Sequence, residues 1–344
     1  MSTHENYMQQ CLSLALQGLG HVAPNPMVGC VIVHGNEVIG SGYHTQYGGP
    51  HAEVNAINSV HESNMYLLKE STLYVNLEPC SHYGKTPPCA NLIIDKKIPR
   101  VVIGSNDPNP LVAGKGIALL KEAGVDVTTG VLQKESDELN HRFITYFTKK
   151  RPYIILKYAQ SKDHVMAPVG NAQFWLTNDD SKARVHLWRT QEQAVMIGKL
   201  TALIDNPQLT ARLYKGKNPL RVVIDKTLAI PQHFNIFDNV AHTLVFNDTK
   251  NGTEHNTEYC IIDFEKDVEQ QVLQKLWDMK ILSVIIEGGP YLLNSFIEKG
   301  LWDEARIFTT QHLLHHGKEA PDLKGTLVHE EDIAGDNLKI LLNK

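Results

Sequence analysis

The chain has 344 residues, more than one hydrophobic core usually organises, because cores stop growing near roughly 250–300 residues; two domains are expected. Its 42% hydrophobic and 21% charged content, with Gly 24 and Pro 16, excludes disordered, collagen-like and low-complexity classes. Lys+Arg 33 against Asp+Glu 38 leaves a net charge of -5 without a basic block, and no run approaches the ~18 apolar residues of a membrane span, so neither nucleic acid nor a membrane is an expected partner.

The first residues, Met1-Ser2-Thr3-His4-Glu5-Asn6, show no basic region followed by an apolar one, which reads as a cytoplasmic chain. Cys11, Cys30, Cys80, Cys89 and Cys260 are odd in number and scattered, which is not a disulfide framework. In a reducing compartment paired cysteines point to metal or catalysis, and Cys80 with Cys89 is the one local pair.

Apolar residues recur at helical spacing from Glu5 to Leu19 and stop at Gly20, which predicts an amphipathic helix. Met27–His34 and Glu37–Gly42 read as the strands of a hairpin turned at Gly35-Asn36. Pro50 sits at the entry of a helix over His51–Val60, where its missing N–H is no loss. Thr72–Leu77 is a β-branched and aromatic strand, Pro88-Cys89 opens a helix to Lys97, and Arg100–Gly104 is a buried strand. A helix over Lys115–Ala123, a strand at Val125–Thr129 and a helix through Asn140 complete an alternating α/β half.

The basic, proline-ended Thr148-Lys149-Lys150-Arg151-Pro152 predicts a linker, which sets the domains at 1–147 and 148–344. Beyond it strands are predicted at Tyr153–Ala159, Ala194–Gly198, Leu220–Ile224, Thr243–Phe246, Tyr259–Ile262 and Ser283–Glu287. Helices are predicted at Ser181–Arg189, Val268–Met279 and Tyr291–Lys299, so the second half is a separate α/β domain.

His51-Ala52-Glu53 and the pair Cys80 and Cys89 fall at turn-to-helix junctions. One imidazole and two thiolates suit Zn²⁺ with a fourth position left for water, the arrangement that separates catalytic zinc from closed structural sites. Glu53, two residues past His51 in a first helical turn, can lean toward the metal and serve its water without ligating it. The order H-x-E, P-C, Cys is that of zinc-dependent nucleobase deaminases, except that eight residues separate the cysteines here. A structural zinc or two unrelated core cysteines are the alternatives, and His82 is either a fourth ligand or part of the substrate pocket.

The runs Pro24-Asn25-Pro26-Met27-Val28-Gly29, Gly42-Tyr43-His44, Gly48-Gly49-Pro50-His51-Ala52-Glu53, the segment from Leu77 to Cys89, and Asp107-Pro108-Asn109-Pro110 with Gly114-Lys115-Gly116 closely resemble the bifunctional pyrimidine deaminase/reductase family of riboflavin biosynthesis. The long insertion between the cysteines is itself typical of that family. The resemblance implies a cytidine-deaminase-like three-layer domain that acts on a phosphoribosylated diaminopyrimidinone, with Glu53 carrying a proton to departing ammonia. Around the metal motif, Asn25, His44 and His82 are candidates for the substrate and Lys85 for its phosphate; Asn25 also reads as a plain turn residue and Lys85 as a solvated one.

The second half lacks a GxGxxG after a strand; it has Glu287-Gly288-Gly289-Pro290 leading from a buried strand into a helix, which alone is weak evidence for a phosphate cradle. Lys157-Tyr158-Ala159, Trp175-Leu176-Thr177, Trp188-Arg189, Asp205-Asn206-Pro207-Gln208-Leu209-Thr210-Ala211-Arg212 and Pro219-Leu220-Arg221-Val222-Val223-Ile224-Asp225 resemble the reductase half of the same family. That implies a dihydrofolate-reductase-like fold using NADPH. By position, Ala159, Trp175, Thr201, Asp205 and Gly289, Pro290, Tyr291, Leu292, Leu293, Asn294 and Ser295 would meet NADPH; Gln173, Arg189, Leu209, Arg212 and Glu287 would meet the substrate. Asp205 is also the candidate for proton handling during hydride transfer. Either arginine could instead pair with a neighbouring carboxylate. Two departures from the family pattern stand out: His164 replaces a glycine expected at an unusual turn, and Gln173 replaces a serine. A homo-oligomer is expected.

Overall fold

The computed structural model describes residues 2–81, 88–170 and 173–343. The chain divides into two compact units, Met1–Lys150 and Arg151–Lys344.

The first unit runs α1 (Thr3–Leu16), β1 (Gly29–His34), β2 (Glu37–Tyr43), α2 (Ala52–Asn58), β3 (Thr72–Leu77), α3 (Cys89–Asp95), β4 (Arg100–Ser105), α4 (Lys115–Glu122), β5 (Asp126–Thr129), α5 (Gln133–Leu139) and α6 (His141–Lys149). Its sheet has the order β2-β1-β3-β4-β5, antiparallel through β3 and parallel beyond. Strand alternation sends Cys30, Ile32, Leu73, Val75, Val101 and Ile103 to one face, where Ala52, Ala56 and Ile57 of α2, Ala90 and Ile93 of α3 and Leu120 of α4 complete a core. Val31, Val33, Tyr74 and Val102 point the other way, onto Met8 and Cys11 of α1. The result is three layers, as expected. Gly29 lets α1 lie close on the sheet, since a Cβ there would come within 2.1 Å of the Cys11 carbonyl oxygen.

The second unit continues with β6 (Tyr153–Gln160), β7 (Val165–Pro168), α7 (Asp179–Gln191), β8 (Ala194–Gly198), α8 (Lys199–Asp205), β9 (Leu220–Ile224), β10 (Thr243–Asn247), β11 (Gly252–Glu254), β12 (Thr257–Ile261), α9 (Val268–Asp278), β13 (Ser283–Ile286), α10 (Pro290–Glu298), β14 (Glu304–Thr309), β15 (Gly317–Glu319), β16 (Thr326–Ile333) and β17 (Asp336–Leu342). Ten strands form one sheet in the order β11-β12-β10-β9-β8-β13-β6-β14-β17-β16, parallel from β12 to β14. The central strands β8 and β13 are nearly uninterrupted apolar runs because both faces are covered. Their carboxyl ends, where parallel sheets collect ligands, bring together Ala159, Gly198, Asp225 and Glu287.

Several expectations shift. The first helix ends at Leu16 rather than Leu19, with Gln17 as its cap. Pro50 precedes the α2 N-cap, which is His51 itself. Thr148 and Lys149 are the last residues of α6, an element absent from the sequence reading, and Lys150 caps it with φ +52; the predicted linker is therefore helical in its first part, and the units part at 150 rather than 147. β7, α8, β11 and β14 to β17 also went unpredicted. His164 does take the left-handed backbone expected of the glycine it replaces, at φ +62, within a turn closed by His164 N–H to the Ser161 carbonyl and Val165 N–H to Ser161 Oγ.

Candidate active sites

His51 stands at the mouth of α2 and Cys89 at the first turn of α3, and the strand end after β3 delivers Cys80 between them. His51 Nδ1 lies 3.5 Å from Cys80 Sγ and 3.3 Å from Cys89 Sγ, and the three ligand atoms lie within 4.8 Å of one another. A tetrahedral zinc with bonds of about 2.0–2.1 Å to nitrogen and about 2.3 Å to sulfur sets neighbouring ligand atoms about 3.6 Å apart, so the donor set and its spacing fit the ion. Among the described residues no other group of three such side chains converges. Contact with the Cys89 thiol, then with His51 and the Cys89 backbone N–H, lowers the Cys80 thiol to about 4, while the same contact and burial push Cys89 up. A dication held between the two sulfurs would keep both as thiolates.

Glu53 follows one residue into α2 and is 3% exposed. Burial, then the neighbouring Cys80 sulfur, raises its carboxyl above the ordinary range, which suits a group that must both accept and release a proton. His44 is buried with its ring edge-on to that of His51 at 5.5 Å. Its Nδ1–H donates to the Pro50 carbonyl at 2.9 Å, which leaves Nε2 to accept from Asn25 Nδ2 at 3.0 Å; burial keeps this imidazole neutral. Asn25 is thereby tied through His44 to the neighbourhood of His51. His82 and Lys85 lie outside the described residues.

Glu78, two residues before Cys80, turns out to be a scaffold. Its carboxylate accepts from the backbone N–H groups of Gly114 at 2.9 Å, Gly116 at 3.0 Å, Ile117 at 3.2 Å and Asp107 at 3.3 Å, which caps α4 and fastens the loop before it. Gly116 is needed for this approach, because a Cβ there would fall 2.0 Å from the Pro79 carbonyl oxygen. Asp107, raised to about 7 by burial and then by Glu78 and Cys80, lies on the same side.

In the second unit Gly288 and Gly289 turn from β13 into α10, with Gly289 at φ +64 and Pro290 at the first helical position. A Cβ on Gly288 would meet the Thr201 side chain at 3.0 Å, and one on Gly289 would meet Thr201 Oγ1 at 3.1 Å. The turn thus lies bare against Thr201, and the first-turn N–H groups of α10 lack intrahelical partners, a cradle for a phosphate such as NADPH carries. Tyr291 and Asn294 are exposed, whereas Leu293 is buried in the core and spends its N–H on the Gly289 carbonyl, so it offers a cofactor no side-chain contact. Ser295 Oγ donates to the Leu292 carbonyl at 2.9 Å.

Asp205 ends α8; burial raises its carboxyl while Lys318 acts in the opposite sense. Gln173 donates to the Asp205 carbonyl at 3.3 Å, so it supports the backbone beside Asp205. Arg189 and Glu287, both expected to meet the substrate, pair with each other through two bonds of 2.7 Å, and Arg189 Nη1 also reaches the Thr210 carbonyl at 3.1 Å. Burial would raise Glu287, but Arg189 overrides it and holds the carboxyl below its usual range. Leu209 is buried at φ +55, Arg212 is exposed without an ion pair among the described residues, and Trp175 is 58% exposed with Lys182 Nζ 4.9 Å over its ring. Ala159 is half-buried at the end of β6.

Residues 152–329 match the RibD C-terminal domain, and residues 1–105 match the cytidine and deoxycytidylate deaminase zinc-binding region. The chain is 38% identical to riboflavin biosynthesis protein RibD of Aquifex aeolicus over 330 residues, covering 93% of this chain and 90% of that protein. The chain belongs to the RibD family. A Thermotoga maritima structure described as a diaminohydroxyphosphoribosylaminopyrimidine deaminase/5-amino-6-(5-phosphoribosylamino)uracil reductase superposes with TM-score 0.91 at 36% identity, covering 99% of each chain. Acinetobacter baumannii RibD does so with TM-score 0.91 at 32% identity and the same coverage.

Two residues of this RibD-family chain, Lys157 and His186, carry no role in the sequence-based expectations, although Lys157 lies in a run that resembles the family. Lys157, on β6, is held below its ordinary pKa by burial, with Glu287 opposing and Arg189 adding to the shift, so its ammonium shares the Arg189–Glu287 pocket. A lone cation inside Tyr153-Ile154-Ile155-Leu156-Lys157-Tyr158 was the available signal. His186, one turn before Arg189, is buried with Nδ1 unpartnered among the described residues; burial, then the Arg189 and Arg212 charges, lower it to about 4. Nothing in the helical pattern around it distinguished it from a core histidine.

Proposed function

We propose that this chain catalyses two consecutive steps of riboflavin biosynthesis: deamination of a phosphoribosylated diaminopyrimidinone in residues 1–150, then NADPH-dependent reduction of the product's ribosyl group to a ribityl chain in residues 151–344. The observation that carries it is the His51, Cys80 and Cys89 cluster with the buried, raised-pKa Glu53 beside it, in a chain whose second unit belongs to the RibD reductases. His51, Cys80 and Cys89 would hold a zinc ion, which when bound would supply Lewis-acid activation of the water that attacks the ring carbon bearing the exocyclic amine. Glu53 takes a proton from the attacking water and returns it to the amine nitrogen, which leaves as ammonia. Asn25, oriented by the neutral His44, hydrogen-bonds the pyrimidine edge, and the family resemblance assigns His82 to the substrate and Lys85 to its phosphate.

In the reductase, Gly289, Tyr291 and Leu292 offer backbone N–H groups, and Thr201, Trp175, Ala159 and Asp205 line the cofactor side. NADPH, when bound there, would supply the hydride for C1′ of the ribosyl group. Arg212 and the outward N–H groups of Arg189 hold the sugar phosphate, the latter kept in place by Glu287, and Asp205 supports proton transfer at the ribose oxygen. A homo-oligomer working in the cytoplasm completes the reading, and light scattering on the purified chain tests the assembly.

The test supplies the diaminopyrimidine substrate to zinc-loaded protein with and without NADPH. Ammonia release in both arms and NADPH consumption in one are expected; neither signal would defeat the reading. Asp205→Asn is expected to impair reduction alone, and loss of ammonia release in that variant would break the division of labour.

A further inference from the structure

Arg221 on β9 is the largest of the fully buried side chains by volume. A buried charge is tolerated when it is paired and its donors are satisfied. The guanidinium meets Asp238 Oδ1 at 2.8 Å, Thr243 Oγ1 at 3.0 Å and the carbonyls of Asn235 at 2.9 Å, Gln208 at 3.4 Å and Ala241. Asn235 in turn clamps Asn206 at two points: its backbone N–H donates to Asn206 Oδ1 at 2.8 Å, and its side-chain amide donates to the Asn206 carbonyl at 2.7 Å.

Asn206 directly follows Asp205 and caps α8 in the left-handed region, at φ +38 and ψ +54; asparagine enters this region more readily than other non-glycine residues but less freely than glycine, and the two bonds from Asn235 hold it there. The next residues are tied down one by one: the Gln208 carbonyl by Arg221, the Leu209 side chain by burial, and the Thr210 carbonyl by Arg189. One short segment thereby connects the cofactor-side carboxyl, Asp205, to the phosphate-side cation, Arg212.

We propose that Asn235, backed by Arg221, is a positioning residue of the reductase: by imposing the left-handed backbone at Asn206 it sets Asp205 and Arg212 together, touching neither ligand. The proposal rests on the roles given to Asp205 and Arg212 above. A net hydrogen-bond contribution of the usual size corresponds to about ten-fold in binding.

The experiment follows NADPH binding by calorimetry and reductase KM and kcat, with ammonia release from the same chain as the internal control. Asn235→Asp is isosteric but replaces the donor to the Asn206 carbonyl with an acceptor. It is expected to weaken NADPH binding and raise the reductase KM about ten-fold while ammonia release stays at the wild-type rate. Adding Asn206→Gly should restore most of the loss, because glycine takes positive φ unaided, a rescue that a merely stabilising role for Asn235 does not predict. Unchanged NADPH affinity and KM in Asn235→Asp, no rescue by Asn206→Gly, or an equal fall in both activities overturns the proposal. Should Asn235→Asp not fold, Asn235→Ser carries the same comparison with the same outcomes. Wild-type protein that binds no NADPH would instead remove the reductase reading before any variant is made.

Discussion

Glu53 is a carboxyl buried among sulfur and imidazole, and its position in the first turn of α2 leaves it close to the metal ligands without joining them. Glu53→Gln keeps the shape and removes the proton shuttle, so deamination is expected to fall by about 10²–10⁴ while zinc content by metal analysis stays unchanged. His186 gives a pH prediction. Its folded-state pKa lies near 4 against an ordinary 6.5, so the unfolded chain binds the extra proton first; the stability of the reductase unit is full above pH 6.5 and declines as pH falls toward 4. Thermal melts across that window should show a shallower decline for His186→Gln, and identical slopes would dismiss the titration. The metal ligands were legible because each sits in a short local motif, His51 and Cys89 at helix entries and Cys80, expected at such a junction too, at the strand end after β3 instead. The Arg189–Glu287 pair was not, since 98 residues separate partners that only the adjacency of α7 and β13 brings together.

Among the elements, α4 repays its close seating on the strand-end turn after β3. Gly116→Ala would force its Cβ into the Pro79 carbonyl, so the helix must retreat from Glu78; about 1–3 kcal/mol of destabilisation and faster zinc loss to a chelator are expected, read by denaturant titration and a colorimetric zinc indicator. β8 and β13 were readable as apolar runs because both faces of their sheet are covered, and β3 as a β-branched and aromatic stretch. The strands beyond α10 were not, because β16, Thr326-Leu327-Val328-His329-Glu330-Glu331-Asp332-Ile333, lies at the sheet edge with its side chains mostly exposed and shows neither a buried run nor clean alternation. α6 escaped for a different reason: its aromatic and β-branched residues, Phe143, Ile144, Thr145, Tyr146 and Phe147, carry weak helical preference, and packing decides the outcome.

For the whole molecule, two chemistries sit in two compact units of one chain, so reagents should separate them. Treatment with a strong zinc chelator is expected to abolish ammonia release while leaving NADPH oxidation intact when the deaminated pyrimidine is supplied directly; parallel loss of both would contradict independent centres. The Glu78 carboxylate imposes a further condition on anyone rebuilding the first centre elsewhere. Two oxygen atoms gather four donors from the stretch 107–117, far along the chain from either cysteine. Grafting only the 51–53 and 80–89 segments onto a foreign sheet would transplant the ligands and abandon their moorings, so the deaminase centre is not a portable cassette.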